Sequence, residues 1–239
     1  MNNGKQMKAH TITTDEEWSV RHLQGESWIE NYWKSRDHPH RQFLVEEIIK
    51  FKPKTVLEIG CASDPNLYHI AKKLPDAEIK GIDINPIAVQ KGNEWLKQEG
   101  ISNVKLEVGK AQKLEQYAEK SFDVVFTDAV LIYIAPNEIK HVTKEMLRIS
   151  HTVILNEWHV FNKPLAYFLS LYHYSRTLNR SFKPRSTSLG LYVGHWTRDY
   201  ENLFKQVISR EKIRIMKLPK KVWNDKGWRR WGAIVEVTE

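Results

Sequence analysis

The sequence predicts an α/β protein with a doubly wound, mostly parallel sheet. Strand-like and helix-like segments alternate from residue 55 to residue 158, as in parallel strands joined by helical crossovers. The chain closes with two strand-like segments around a short basic turn, which predicts an antiparallel pair. The stretch Thr55–Asn66, TVLEIGCASDPN, reads as a buried strand, a tight turn and the start of a helix. Doubly wound folds build a ligand site in this way after their first strand.

The order of the elements follows from hydrophobic periodicity and from turn residues. Apolar residues recur at helical spacing from Asp15 to Phe51, and Pro53 ends this helical part. Pro86 and Gly100 mark the first turn and the end of a later helix. The predicted strands are 55–59, 77–84, 103–108, 122–130, 151–158, 211–223 and 231–239. The predicted helices are 67–74, 86–100, 111–118, 137–149, 161–178 and 197–207, the last with Thr197 as N-cap, while 179–196 reads as a loop.

We interpret the chain as one domain with two additions. Residues 1–52 are a helical cap, residues 53–239 carry the alternating strands and helices, and a lid is inserted at about 159–196. The cap segment WIENYW and the lid segment YFLSLYHY are rich in aromatic residues. We expect both to close over a bound substrate and exclude water. For the lid helix, ordinary core packing and contact with a membrane or a lipid substrate are the alternatives.

Composition limits the class of protein. With 239 residues, of which 41% are hydrophobic, the chain is long and apolar enough for one buried core. Its single cysteine excludes an internal disulfide and a cysteine-based zinc site. No apolar run approaches the ~20 residues of a membrane span, and the N-terminal residues contain no apolar signal core. We therefore expect a cytoplasmic protein without a membrane span.

The net charge of +8 leaves a nucleic-acid partner open. Basic residues are scattered along the chain, however, with only short local groups. These groups are Lys72–Lys73, Lys183–Arg185, Lys217–Lys221 and Lys226–Arg230. The scatter favours an ordinary solvated basic surface, so nucleic acid is not the favoured partner.

Two carboxylates and one glycine indicate the chemistry of the ligand. Asp83 ends the second predicted strand, where a carboxylate can accept hydrogen bonds from both hydroxyls of a ribose. Glu58 lies inside the first strand, before Gly60, and its charge would repel a pyrophosphate but suits an amino group or a cation. Neither a GxGxxG run nor a Walker lysine is present, which argues against phosphate binding.

The ordered motifs resemble those of class I S-adenosylmethionine-dependent methyltransferases. These motifs are LEIGCAS, GIDINPIAVQKG, VGKA, SFDVVFTDAVLIYI and KEMLRIS, and they extend from Thr55 to Glu157. Each is weak alone, and their order and spacing carry the resemblance. The resemblance implies a Rossmann-like, seven-stranded sheet whose last strand is antiparallel, S-adenosyl-L-methionine as cofactor, and methyl transfer as the activity.

The resemblance also implies a set of cofactor-binding residues. Glu58 would hold the network around the methionine amino group, and Asp83 would bind the ribose hydroxyls. The other members of the set are Gly60, Cys61, Ala62 and Asn66 in the loop after the first strand, Ile84, Lys110 and Ala111 around adenine, and Asp128 and Ala129 near the methionine end.

Three features depart from the pattern of this family. Ala62 and Asp64 stand where its loop usually has glycine, and Lys110 stands where an acidic residue is usual. The segment 131–134 is Leu-Ile-Tyr-Ile, where many relatives have a histidine in Leu-Glu-His-Ile. With Ala62 in place of glycine, the backbone of this loop comes less close to the cofactor. Asp64 needs a positive φ, which aspartate tolerates better than most residues.

The motifs also limit the acceptor. No Asn-Pro-Pro-Tyr or Asp-Pro-Pro-Tyr segment follows the fourth strand, which argues against the amino groups of adenine or cytosine. The single cysteine, Cys61, lies in the cofactor loop, so none is placed to attack a pyrimidine ring. No carboxylate cluster indicates a catechol-type magnesium site, so we expect no metal.

Four residues are the main candidates for removing a proton from the acceptor. Glu157 and His159 follow the fifth strand, Tyr133 follows the fourth, and His195 ends the lid. His38 and His40, which flank Pro39 in the cap, are further candidates. Histidine titrates near neutral pH, and the position of His159 makes it the favoured base. A hydrogen-bonded structural role is the alternative for each histidine.

Three functions are consistent with these features. The favoured one is methyl transfer to a small-molecule or glycan-type acceptor, on oxygen, with a His/Glu general base. The second is an RNA or protein methyltransferase, which the positive charge favours. The third is a degenerate S-adenosylmethionine-binding module without catalysis, which the residues at positions 62, 64 and 110 favour.

Overall fold

The structure, a computed structural model, describes residues 15–25, 27–168, 171, 188–192, 195–208 and 212–238. Its α-helices are α1 (Asp15–Ser19), α2 (Ser27–Lys34), α3 (Pro39–Ile49), α4 (Pro65–Lys73), α5 (Pro86–Gln98), α6 (Ile139–Ile149), α7 (Tyr200–Phe204) and α8 (Lys226–Trp231). Its strands are β1 (Thr55–Ile59), β2 (Glu78–Asp83), β3 (Val104–Val108), β4 (Phe122–Asp128), β5 (Ser150–Trp158), β6 (Ser188–Tyr192), β7 (His195–Arg198), β8 (Ile213–Lys217) and β9 (Gly232–Thr238). Short 3-10 helices cover Arg21–Gln24, Ser35–Asp37 and Leu131–Tyr133, and a further helical segment covers 163–168.

Among the described residues, seven strands form one sheet in the order β3-β2-β1-β4-β5-β9-β8. Strands β1 to β5 pair in parallel, and β9 runs antiparallel to both β5 and β8. The predicted Rossmann-like sheet with an antiparallel last strand is therefore confirmed. The chain changes direction across the sheet between β1 and β4, and ligands of doubly wound folds bind in the crevice at such a point.

The sheet separates two apolar layers, because successive strand residues point to opposite faces. On one face Phe126 of β4 packs with residues of α3, α4 and α5. On the other face its neighbour Val125 packs with residues of α6 and α7. Both side chains are fully buried, so the central strands and their carboxyl ends are held rigidly from both sides.

Polar side chains determine where α4 and α5 begin. Asp64 has a φ of 69°, and its side chain accepts the N–H of Leu67. Asn85 accepts the N–H groups of both Ile87 and Ala88. The positive φ predicted for Asp64 is confirmed. These caps satisfy amide groups that have no partner within the first turn of a helix.

Two predictions between β3 and α7 are wrong. Residues 111–118 form turns and not a helix, because the N–H groups of Lys113 and Tyr117 donate to carbonyl groups three residues earlier, at Lys110 and Leu114. Residues 188–192 are not part of a loop, because β6 pairs with β7 as an antiparallel hairpin.

Two further predictions near the C-terminus are wrong. Thr197 lies in β7, and the N-cap of α7 is Asp199, whose side chain accepts the N–H of Asn202. The basic segment 224–230 is not a plain turn, because Asp225 caps α8 within it. In both cases an aspartate supplies the carboxylate that short helices need at their start.

The cap and the lid are described in part. Helices α1 to α3 precede β1, and α2 and α3 contact α4. Much of the predicted lid, 169–170, 172–187 and 193–194, lies outside the described residues, including most of YFLSLYHY. The domain boundaries stay predictions. None of the described helices combines the length and apolar character that a membrane crossing requires.

Candidate active site

A cavity lies at the carboxyl ends of β1, β2, β3 and β4. Its lining residues are Asp15, Trp18, Trp28, Tyr32, Ile59, Gly60, Ala62, Asp83, Ile84, Gly109, Lys110, Ala111, Gln112, Asp128, Ala129, Val130, Tyr133 and Ile134. We call it the cofactor cavity, because it contains most of the residues predicted to bind a cofactor. Cys61, Asn66 and Glu58, which belong to the same predicted set, are buried behind its wall.

The loop after β1 forms the floor of the cofactor cavity. Gly60 has a φ of 76°, and a Cβ at this position would overlap the side chain of Val130. Ala62 has a φ of 49°, and its N–H donates to Oδ2 of Asp83 at 2.8 Å. Glycine is therefore required at position 60, whereas Ala62 is held in a left-handed conformation by the neighbouring strand end.

Asp83 lies at the end of β2 with its carboxylate at the cofactor cavity. Its Oδ1 accepts the N–H of Asn85 at 2.8 Å, while Oδ2 accepts that of Ala62. Burial raises the pKa of Asp83, and these backbone hydrogen bonds oppose the rise. A carboxylate that is fixed by backbone donors and borders a cavity can still accept the hydroxyls of a ribose.

Asp128 ends β4 at the opposite side of the cofactor cavity. Its Oδ2 accepts from Arg41 at 3.0 Å and from Asn66 at 3.2 Å, and it lies 3.2 Å from Nε2 of His40. Its Oδ1 accepts from Asn156 at 2.7 Å. Burial would raise the pKa of Asp128, but the charges and hydrogen bonds of its partners hold it well below the ordinary value. Asp128 therefore stays ionised at this end of the cavity.

Glu58 connects to the cavity through other side chains. It is 1% exposed, and its Oε1 accepts from Asn66 at 2.7 Å. The same amide group of Asn66 also donates to Asp128. Burial and the nearby Asp64 carboxyl raise the pKa of Glu58. In this structure Glu58 supports Asp128 from behind, through Asn66.

The N-terminal helices close the open side of the cofactor cavity. Asp15 lies 3.4 Å from Nζ of Lys110. The side chain of Asn85 donates to the backbone carbonyl of Trp18 at 2.9 Å. The cap segment WIENYW is predicted to cover the substrate. Its Trp28 lines the cofactor cavity, as Trp18 does, whereas its Tyr32 lines both this cavity and a second, adjoining one. Helical periodicity cannot show this, because it gives the buried face of a helix but not the cleft that the helix meets.

A second cavity adjoins the cofactor cavity and has a volume of about 400 Å³. Its lining residues are Tyr32, Ala129, Ile132, Tyr133, Trp158, His195, Trp223, Asp225, Lys226, Gly227 and Trp228. Tyr32, Ala129 and Tyr133 also line the cofactor cavity, so the two cavities share a wall. The volume falls within the range of small-molecule sites, roughly 300–1,000 Å³. We call it the acceptor cavity.

Tryptophan rings form much of the acceptor cavity. Trp223 and Trp228 stack with centroids 3.8 Å apart and planes 6° apart. Trp158 meets Trp228 edge to face at 6.0 Å, and a Cβ at Gly227 would overlap the Trp158 ring. Trp223 also stacks on His40 at 3.8 Å. The sequence pattern does not place Trp223 and Trp228 at this cavity, because it predicts a strand that ends at Trp223 and a turn over 224–230, where Asp225 in fact caps α8.

Tyr133 and His195 meet at the junction of the two cavities. Tyr133 Oη lies 3.1 Å from Nε2 of His195, although the residues are far apart in the sequence. Burial raises the pKa of Tyr133, so its hydroxyl is neutral at physiological pH. The pair can therefore orient a polar group and exchange a proton with it.

The structure places Glu157 and His159 away from both cavities described here. Glu157 lies in β5, is fully buried and accepts the N–H groups of Val130, Leu131 and Ile132. Nδ1 of His159 faces the backbone N–H of Tyr200, and burial lowers the pKa of His159 to about 4. Of the four predicted catalytic residues, the fold brings together Tyr133 and His195.

Comparisons with known proteins show the family of the chain. A family model described as a methyltransferase domain matches residues 50–212, well over half of the chain. The chain is 28% identical to norajmaline N-methyltransferase of Rauvolfia serpentina over 117 residues, 45% of this chain and 39% of that protein. It is 30% identical to the mitochondrial rRNA methyltransferase 2 of Caenorhabditis elegans over 127 residues, 49% of this chain and 55% of that protein. The matches thus span less than two thirds of these relatives.

Solved structures give the same fold. The N-terminal domain of EvdMO1, solved in the presence of SAH and D-fucose, has a TM-score of 0.59 and 14% sequence identity. The comparison covers 85% of this chain and 84% of that chain, and at this identity it shows the fold alone. Because the family model matches most of the chain, the chain belongs to the methyltransferase domain family, and its seven-stranded sheet has the topology expected of that family.

Proposed function

We propose that this chain methylates a hydroxyl group of a small molecule bound in the acceptor cavity. The observation that carries the proposal is the wall that the two cavities share, formed by Tyr32, Ala129 and Tyr133. An acceptor in the second cavity would lie beside the methionine end of the cofactor, next to Ala129. Such proximity is what methyl transfer requires, because the attacking atom must be aligned with the methyl group.

The residues of the cofactor cavity fit S-adenosylmethionine. Asp83 offers a fixed carboxylate to the ribose, and Ile84 and Ala111 offer apolar surface to the adenine ring. Asp128, held ionised by Arg41 and His40, suits the positively charged methionine end. The bound cofactor supplies an electrophilic methyl group on its sulfonium.

A hydroxyl acceptor must lose its proton as its oxygen gains the methyl group. The hydroxyl of Tyr133 can orient the acceptor oxygen by a hydrogen bond, because it is neutral and lies at the shared wall. Nε2 of His195, 3.1 Å from Tyr133, is placed to take the proton. This assignment retains histidine as the general base but moves the role from His159 to His195.

The walls of the acceptor cavity support a flat, partly apolar acceptor. Trp158, Trp223 and Trp228 present ring surface, and the charged groups that line the cavity are the exposed Asp225 and Lys226. Aromatic rings and the apolar faces of sugar rings both pack on tryptophan. Phenols and sugars are therefore the acceptor classes that we favour.

Methyl transfer from S-adenosylmethionine labelled in its methyl group tests this proposal. The acceptors would be 4-nitrocatechol, 4-nitrophenyl β-D-glucoside and tryptamine. We expect transfer to a hydroxyl acceptor, and a fall in kcat of about 100-fold for both Tyr133→Phe and His195→Gln. Tyr117→Phe, outside both cavities, is the matched control and should retain full kcat. Transfer to tryptamine alone, or full kcat in both variants, would contradict the proposal.

RNA is a second candidate acceptor, favoured by basic residues near the mouth of the acceptor cavity. Lys226 lines this cavity, and Arg229 and Arg230 lie exposed on the same short helix. Binding of RNA through such residues would weaken steeply as the salt concentration rises. Titration of a labelled RNA hairpin at about 50 and 200 mM salt distinguishes the two candidates, since a small-molecule enzyme should show little RNA binding at either concentration.

A further inference from the structure

We propose that Glu157 and Arg198 are a positioning pair that holds the turn carrying Tyr133 between the two cavities. The turn is the 3-10 helix Leu131–Tyr133. Glu157 and Arg198 are each 0% exposed, and neither lines either cavity described here. Each acts through the backbone atoms that it binds. The inference rests on the function proposed above for Tyr133 and His195.

Glu157 binds the first N–H groups of the turn. Its Oε1 accepts the N–H groups of Val130 and Leu131, each at 2.9 Å, and its Oε2 accepts that of Ile132 at 3.2 Å. Oε1 also accepts from the hydroxyl of Thr127 at 2.7 Å. The first amides of a helical turn have no partner within the turn, so each needs an acceptor from elsewhere in the structure. A single side chain of β5 thus satisfies three successive amides.

Arg198 binds the carbonyl groups on the other side of the turn. Its Nη2 and Nε donate to the carbonyl oxygen of Leu131 at 3.0 and 3.2 Å, and Nη2 also donates to that of Ile134. The planar guanidinium presents several donors in a fixed geometry, which suits it to hold two carbonyls at once. The carboxylate of Glu157 therefore binds the start of the turn, and the guanidinium of Arg198 binds its end.

Arg198 also connects the turn to the strand that carries His195, the partner of Tyr133. Arg198 and His195 lie on the short strand β7, and the backbone of Arg198 forms a bridge with His159. The N–H of Val160 donates to the carbonyl oxygen of Arg198 at 2.8 Å. Strand β7 is thus joined to the end of β5 close to Glu157. One connected unit sets the position of both side chains that meet at the cavity junction.

Fluorine NMR on the full chain tests the positions directly. 3-Fluorotyrosine would be placed at Tyr133 in one sample and at Tyr117 in a matched control. We expect Glu157→Gln and Arg198→Lys to shift or split the resonance at Tyr133 and to leave that at Tyr117 unchanged. The glutamine keeps the size of the side chain but points an N–H₂ group at backbone donors. An unchanged Tyr133 resonance in both folded variants would overturn the proposal.

A double-mutant cycle separates positioning from a general effect on folding. With 4-nitrocatechol as acceptor, we expect Glu157→Gln to lower kcat about 10-fold or more in the natural background and little in the Tyr133→Phe background. S-adenosylmethionine affinity, measured by calorimetry, should stay within about 3-fold if the fold is intact. Equal losses in both backgrounds would overturn the positioning role.

The two proposals fail in different ways. If Tyr133→Phe retains full kcat, the function proposed for Tyr133 is wrong, while the fluorine resonances still report whether the pair positions the turn. If Glu157→Gln does not fold, Arg198→Lys carries the same measurements, because it retains a cation at the buried site but fewer donors.

Discussion

Oδ2 of Asp83 accepts the backbone N–H of Ala62 at 2.8 Å, so the end of β2 holds the loop that follows β1. The contact joins the carboxylate expected to bind the ribose to the residue that replaces a glycine in the loop. Ala62 adopts a φ of 49° there, which costs an L-residue roughly 1 kcal/mol or more. The hydrogen bond from its N–H helps to offset that cost.

Asp83→Ala should weaken the binding of S-adenosylmethionine by about 1–3 kcal/mol, because ribose hydroxyls and the N–H of Ala62 lose a buried acceptor. Isothermal titration calorimetry measures the change. The exposed Asp76→Ala is the matched control and should bind as the unaltered chain does. Equal affinity in both variants would place the ribose elsewhere.

Gly60→Ala should destabilise the protein, since the new Cβ meets Val130 and the φ is 76°. We expect a loss of about 1–3 kcal/mol from overpacking, in addition to the left-handed backbone. Chemical denaturation measures it. Adding Val130→Ala to the Gly60→Ala variant should restore only the part of the stability that overpacking removes. No recovery would mean that backbone strain alone causes the loss.

Asp128→Asn should reduce stability most at neutral pH. The pKa of Asp128 is held below that of the unfolded chain, so its stabilisation is present above pH ~4 and is lost as pH falls further. At pH 7 the variant leaves His40 and Arg41 without their buried anion, at a cost of about 3–5 kcal/mol. Urea unfolding from pH 3 to pH 7 checks this. A difference that does not change with pH would contradict it.

The ionisation of Glu157 should make stability fall as pH rises, which is the opposite of the effect of Asp128. It should do so over a higher range of pH. Burial raises its pKa from 4.5 to about 7, despite the hydrogen bonds from Leu131 and Thr127 that lower it. Between these values the folded state holds a proton that the unfolded state has released, so stability falls as pH rises. The slope is at most ~1.4 kcal/mol per pH unit.

Glu157→Gln should lower this slope between pH 4.5 and 7, as measured by urea unfolding at intervals of pH, while Glu58, whose pKa burial also raises, keeps its own contribution. The exposed Glu119→Gln is the matched control and should leave the slope unchanged. If the slope is equally steep in Glu157→Gln, other groups are its source.

Trp18→Ala should weaken S-adenosylmethionine binding by about 1–2 kcal/mol, because this ring covers the cofactor cavity. Trp18 meets the Tyr133 ring edge to face at 5.0 Å, so the variant also loosens the junction of the cavities. Calorimetry measures the affinity, and Trp18→Phe should lose less. If removing the ring leaves affinity unchanged, the N-terminal helix does not cover the bound cofactor.

The sequence by itself determined the fold and the cofactor loop. The alternation of strands and helices predicts the parallel sheet, and local residue chemistry predicts the positive φ of Asp64 and the place of Asp83. These features depend on neighbouring residues and on the period of the hydrophobic pattern, which a single sequence displays.

Only the tertiary structure decided which side chains meet. Glu157 lies in β5 and His159 follows it, but both face the interior, because the pleat and the path of β7 set the direction of each side chain. His195 reaches Tyr133 through a hairpin that reads as a loop, and Trp228 reaches the acceptor cavity on a helix that reads as a turn. Contacts between residues distant in the chain depend on how elements pack, and the pattern within each element does not encode that packing.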